Sequence, residues 1–285
     1  MPAEPPVSSP RTLPEALALL AADSYRPVAG GTDLLVQITG ELGEPPARVM
    51  DIWHLDELRG IRLESNALVL GALTTYSEMR RSPLVAEFLP AFGEAAATIG
   101  AAQIQNRGTI GGNAANASPA GDMLPLLLAC DAQLAVGSAS GERRVAAGEF
   151  WPAYRRTALA PNELLLRISI PLVTDRQVRF RKVGTRRAQA ISKVVMALAW
   201  RADEDATEWH DVRLALGSVS ATPIRAPGTE AVLEGSSPNE ATADRAASTL
   251  ASELNPIDDV RSSADYRRAV AARVLHRLLR EAGGW

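Results

Sequence analysis

The sequence holds one cysteine, Cys130, and three histidines, His54, His210 and His276, in 285 residues. One thiol cannot close an internal disulfide, and it cannot ligate an iron–sulfur cluster, which takes about four thiolates. The histidines are scattered, without the close pair spacing of a zinc site. Lysine is nearly absent: of 30 basic residues only Lys182 and Lys193 are lysine. The net charge is −3 and no basic block is present, which argues against a nucleic-acid partner. No run approaches the roughly 18 consecutive apolar residues of a membrane span. Met1 to Pro10 is proline-rich without an apolar core, so it reads as a short disordered tail rather than a signal peptide. These absences point to a cytoplasmic protein, and 46% hydrophobic residues suffice for a sizeable core.

The remaining chain mixes strands and helices without regular βαβ alternation, an α+β pattern. Thr12 to Ala22 reads as a helix, with Thr12 as cap, Pro14 in the first turn and Glu15 three residues after the cap. A short strand runs into Gly30-Gly31 and a helix begins near Thr32. Ile61–Leu63 and Ala67–Gly71 read as a hairpin around Ser65-Asn66. Thr75–Arg80 and Leu84–Gly100 are helical, whereas Ile104 to Asn116 holds no helical period and reads as a polar loop. Asp122 opens an apolar helix, Glu163–Ile170 is a strand stopped by Pro171, and a boundary falls near Asp175-Arg176. Further strands are expected at Val178–Val183, Ile191–Ala202 and His210–Ser220, then helices at Glu240–Leu254 and Tyr266–Glu281.

Two glycine-rich segments carry the chemistry. In the first, Pro27, Val28, Ala29, Gly30, Gly31, Thr32, Asp33 and Leu34 join a strand to a helix start. Glycine permits positive φ and close approach of another group, and successive N–H groups at such a turn can form an anion-binding concavity. An ordinary strand–turn–helix would look the same. The second runs from Asn106 to Asp122, with Gly108, Gly111 and Gly112 among small polar residues. It matches neither the phosphate loop nor the dinucleotide fingerprint. Asn113, Asn116 and Ser118 could bind pyrophosphate without a charged side chain. Asp122 has two readings: N-cap of the next helix, or a carboxylate accepting from ribose hydroxyls. A third segment, Phe180 to Lys193, holds both lysines and alone would read as strand, basic turn and strand.

Together these segments resemble the flavin-binding subunit, or middle domain, of the molybdenum hydroxylases, the family of xanthine dehydrogenase, aldehyde oxidase and aerobic carbon monoxide dehydrogenase. The resemblance rests on Ala29–Leu35, Gly71–Thr75, Asn106–Asn113, Ala117–Asp122, Leu164–Pro171, Arg181–Ala188 and Pro256–Ser263 before Tyr266, in that order along the chain. It implies a two-subdomain FAD-binding fold of the vanillyl-alcohol-oxidase (PCMH) type, residues 11–174 with subdomains 11–58 and 59–174. A small α+β C-terminal domain of the carbon monoxide dehydrogenase flavoprotein type would follow, residues 175–285. It also implies FAD, with its pyrophosphate on Pro27–Leu34 and on Thr109, Ile110, Gly111, Gly112 and Asn113, with Asn116 nearby. Asp122 would bind ribose, Ile99 and Leu165 would line the flavin region, and Lys182 would stand near the isoalloxazine as an electrostatic catalytic group. Gly111→Val is then expected to block cofactor approach more than it harms the fold.

The resemblance further implies an electron-transfer subunit without a metal of its own. Electrons would come from a [2Fe-2S] small subunit beside a molybdopterin-binding large subunit and pass to NAD or another acceptor, in a dimer of heterotrimers. A stand-alone flavin oxidase of the same superfamily is the alternative, and turnover by the isolated chain would favour it. A non-enzymatic module that kept the fold would hold no redox-active flavin.

Overall fold

The computed structural model describes residues 5–40, 44–186, 188–202 and 208–285. Residues 1–4 of the expected tail and Arg187 of the basic segment lie outside them.

The first layer is small. Strand β1 (Val7–Ser8), helix α1 (Leu13–Ala22), strand β2 (Arg26–Val28), helix α2 (Leu34–Thr39) and strand β3 (Val49–Asp51) form a parallel sheet of order β1-β3-β2 flanked by helices. The expected disordered tail is therefore corrected: Val7 pairs with Val49 and Ser8 with Met50. α1 starts as its sequence demands, with the Thr12 hydroxyl accepting from the Glu15 N–H. Its Ala16 and Leu20 join Met50, Ile52, Leu55 and Leu58 in a local core closed by Leu164 and Leu166 of the next layer.

That layer begins after a 3-10 turn at Asp56–Leu58. Strands β4 (Ile61–Glu64) and β5 (Ala67–Gly71) make the expected hairpin, with Ser65 at φ 50°. Helices α3 (Tyr76–Arg81), α4 (Pro83–Phe88), α5 (Pro90–Thr98), α6 (Ala102–Arg107), α7 (Ile110–Asn116) and α8 (Leu124–Ala129) follow. Strands β6 (Gln133–Ser138) and β7 (Gly141–Ala146), helix α9 (Ala147–Phe150) and strand β8 (Leu164–Pro171) complete an antiparallel sheet of order β4-β5-β8-β6-β7. The Ile104–Asn116 segment, expected as a loop, contains α6 and α7. Glycine and asparagine are poor helix formers. Here tertiary packing overrides them, because Ile110 and Ala114 are buried and Thr109 caps α7 by accepting from the Gly112 N–H at 3.0 Å.

The third layer is the sheet β12-β11-β10-β9, built from β9 (Arg176–Val183), β10 (Val194–Ala202), β11 (Trp209–Gly217) and β12 (Ile224–Arg225). Helices α10 (Pro227–Leu233), α11 (Glu240–Glu253) and α12 (Ala264–Gly283) cover one face. β10 divides two cores by its period of two. Val195, Ala197 and Ala199 face the leucine-rich α8 and the large core of the second layer, together with Phe180 and Ala215. Val194, Met196, Leu198 and Trp200 face the helical layer, together with Leu214 and Leu216. The alanines on the α8 side let sheet and helix approach closely. The register pairs Lys182 with Val195 and Phe180 with Ala197, so Lys182 is on the face turned toward α5 and α8.

Candidate functional site

β2 delivers the first glycine segment at its carboxyl end, and α7 delivers the second. The two loops touch: a Cβ on Gly30 would lie 1.7 Å from the Arg107 carbonyl oxygen, so only glycine fits there. Gly31 adopts φ +76°. Among the described residues, the N–H groups of Gly30, Gly31 and Thr32 make no hydrogen bond, while the Gly31 carbonyl accepts from Leu35 at 3.0 Å. Three successive free donors at a left-handed glycine form an anion-binding nest.

The second segment is arranged differently. Ile110 N–H donates to Thr74 O, Gly111 N–H to Ala72 O and Asn113 N–H to Thr109 O. With Gly112 N–H on the Thr109 hydroxyl, every N–H from Ile110 to Asn113 is committed internally. The donors for an anion are therefore on the first segment, and the second offers side chains and a wall. A Cβ on Gly111 would meet the Ala72 oxygen at 2.5 Å and its Cβ at 2.7 Å. Gly111 is thus constrained by packing against Ala72 as well as lining the cleft.

Between the loops lies a cleft lined by Pro27, Val28, Ala29, Gly30, Gly31, Thr32, Asp33 and Leu34 from one side. Thr109, Gly111, Gly112, Asn113 and Asn116 line the other, with Tyr76 and Leu165 also on the wall. Asn116 Nδ2 donates to Asp33 Oδ1 at 2.8 Å and ties the two segments together. Desolvation raises the Asp33 carboxyl above its ordinary range, against the pull of the Arg155 guanidinium. The Asn113 Oδ1 atom is buried without a partner among the described residues. A nest of free donors, an orphaned acceptor opposite it and glycines that admit close approach fit a phosphate-bearing, hydroxyl-bearing cofactor.

Four expected residues do not line this cleft. Ile110 is fully buried in the core, and Ile99 packs at its edge with its carbonyl accepting from Gln105 Nε2 at 3.0 Å. Asp122 and Lys182 form a buried pair instead. Lys182 Nζ donates to Asp122 Oδ2 at 2.6 Å and to the Thr98 carbonyl at 3.1 Å, while the Ser192 hydroxyl donates to Asp122 Oδ1. The side chains of Asp122 and Lys182 are 7% and 9% exposed. The cap reading of Asp122 is corrected: Met123 is the N-cap of α8, with no side-chain cap bond. A ribose contact would share an oxygen with Lys182 or Ser192. Burial raises the Asp122 carboxyl, opposed by the Lys182 charge and both hydrogen bonds.

The sequence reading missed Ser192, the Asp33–Asn116 clasp and Tyr76. Ser192 stands inside the basic segment Phe180–Lys193, and Tyr76 directly follows Gly71–Thr75; neither carries a signal of its own without the fold. Cys130 closes α8, is 1% exposed, and burial pushes its thiol up to about 12.

The cleft and the layers around it define a class: an α+β protein that holds a phosphate-bearing cofactor between a small parallel sheet and an antiparallel one. Residues 3–173 match the FAD binding domain in molybdopterin dehydrogenase, and residues 179–282 match the CO dehydrogenase flavoprotein C-terminal domain. The chain is 34% identical to the glyceraldehyde dehydrogenase medium chain of Sulfolobus acidocaldarius, covering 91% of each. It is 32% identical to the carbon monoxide dehydrogenase medium chain of Hydrogenophaga pseudoflava, covering 96% of this chain and 95% of that one. A solved carbon monoxide dehydrogenase structure from the same organism superposes with a TM-score of 0.92 at 30% identity, covering 97% of this chain and 96% of that one. The chain belongs to the FAD-binding medium subunits of the molybdenum hydroxylase family, and it is an oxidoreductase component whose cofactor is FAD.

Proposed function

We propose that the chain is the electron-exit subunit of a molybdenum hydroxylase complex. It would accept electrons from [2Fe-2S] clusters on a small partner subunit, downstream of a molybdopterin-binding large subunit, and hand them to NAD or another acceptor. The observation that carries the reading is the glycine cleft with its free donors at Gly30, Gly31 and Thr32, in a chain whose lone, buried Cys130 could not hold a cluster. Bound FAD supplies the exchange between one-electron and two-electron carriers.

The chain's own residues bind and orient. The first segment, Pro27 to Leu34, supplies phosphate donors. Thr109, Gly112 and Asn113 form the facing wall, Asn116 locks Asp33 in place, and Leu165 gives an apolar surface. Lys182, held by Asp122 and Thr98 outside the cleft lining, would act electrostatically on a flavin only as part of this ion pair, whose carboxylate offsets its charge. Asp122 acts as the counter-charge that holds this cation, and Ser192 fixes the carboxylate.

The test is reconstitution. The purified chain takes up FAD and shows a flavin absorption spectrum, and it co-purifies with an iron–sulfur protein and a molybdenum protein. A colourless chain that binds no added FAD refutes the cofactor assignment here. Substrate oxidation by the isolated chain favours the stand-alone oxidase instead.

A further inference from the structure

Tyr76 is the first residue of α3 and lines the cleft, yet it is only 3% exposed. Its place is fixed from every side. Its N–H donates to the Gly108 carbonyl at 3.2 Å, and Thr75 bridges Thr109 in antiparallel fashion. The Thr75–Glu78 capping box locks the turn, since each residue's side chain accepts from the other's backbone N–H. The ring lies against Gly108, where a Cβ would fall 2.8 Å from Tyr76 Cε2. Gly108 is therefore the space that the ring occupies. With all this positioning, the phenol hydroxyl has no hydrogen-bond partner among the described residues.

The ring is buried but the hydroxyl oxygen keeps solvent access and the residue lines the cleft, so the donor is open to a molecule bound there. The hydroxyl is close enough to Asp33, at the cleft mouth, and to Asp122 to feel both charges.

We propose that Tyr76 is a cofactor-binding residue, its hydroxyl donating a hydrogen bond to a phosphate oxygen of FAD bound in the cleft that the Gly30–Thr32 donors also line. The inference rests on the FAD reading above. Burial and both carboxylates raise the phenol far above its ordinary range, so the group stays a neutral donor at all physiological pH. A neutral donor suits a cleft that already contains Asp33, because it adds no ion pair for Asp33 to compete with.

The experiment compares the wild-type chain with Tyr76→Phe, which keeps the ring against Gly108 and removes only the oxygen. FAD affinity is measured by fluorescence quenching and the thermal midpoint of the apoprotein is measured separately. The expected result is a rise of about tenfold in the FAD Kd, the scale of a lost hydrogen bond to an ionised group. The apoprotein midpoint should stay nearly unchanged, because the hydroxyl makes no internal hydrogen bond among the described residues and is open to solvent. An unchanged Kd overturns the proposal. A large fall in apoprotein stability overturns it too, since it would reveal an internal partner for the hydroxyl. Failure of the wild type to bind FAD would refute the cofactor reading itself, a distinct outcome.

Discussion

Lys182→Met removes the ammonium of a buried pair but keeps most of the stem volume. The partner carboxylate is 7% exposed, its Oδ2 stands 2.6 Å from Lys182 Nζ, and among the described residues its other oxygen is held by Ser192 alone. Removing one member of a buried pair strands the other charge and costs about 3–5 kcal/mol, whereas replacing both members together is often nearly neutral. Urea unfolding at neutral pH should therefore show a large loss for Lys182→Met. The double variant Lys182→Met with Asp122→Asn should recover much of it. Acidity supplies an independent check. Without Lys182 nothing ionic opposes burial, so Asp122 titrates further above the unfolded value of about 3.9. Between those two pKa values the folded state binds more protons than the unfolded one. Stability of the single variant then falls as pH rises through that window and levels above it. Its deficit against wild type should shrink on acidification. A single-variant loss under about 0.5 kcal/mol, or losses that simply add in the double variant, would refute the stranded-charge argument.

Gly111→Val should destabilise the apoprotein by about 1–3 kcal/mol, because its Cβ would overlap Ala72; a wild-type melting curve with lost FAD binding would refute the packing argument and leave cofactor approach as its main role. Asp33 has a raised carboxyl beside the nest, so it protonates at higher pH than an ordinary carboxylate and then ceases to repel phosphate. FAD should bind more tightly at about pH 5 than at about pH 8, and Asp33→Asn should flatten that difference. Cys130, with its thiol pushed up to about 12, should resist a thiol reagent at about pH 8 until the chain unfolds; rapid labelling of the native protein would contradict its burial.

What was legible in the sequence was local or familial. The Ser65-Asn66 hairpin and the Thr12 cap use signals within four residues of themselves, and both are present in the structure. β1 was missed because two residues cannot show a period, and its partner strand lies about forty positions away. α6 and α7 were missed because their composition opposes helix, and the burial of Ile110 and Ala114 that overrides it is tertiary. The glycine segments were placed in one cleft by resemblance, but which of them keeps free donors depends on where Ala72 and Thr74 present their carbonyls. Asp122 and Lys182 each stand in a recognisable motif, yet their pairing spans 60 positions and carries no pattern in a single chain.

The two matched families meet between residues 173 and 179, but the physical seam of the molecule is not there. It runs lengthwise through β10, where Val195, Ala197 and Ala199 belong to one core and Val194, Met196, Leu198 and Trp200 to the other. A chain cut at the sequence boundary would leave α8 with its leucines facing water and would strand Asp122 without the cation that β9 supplies. The C-terminal region is in this sense the missing wall of the flavin domain. The two halves can diverge as separate families in sequence, but they are expected to fold, and to gain or lose cofactor, as one body.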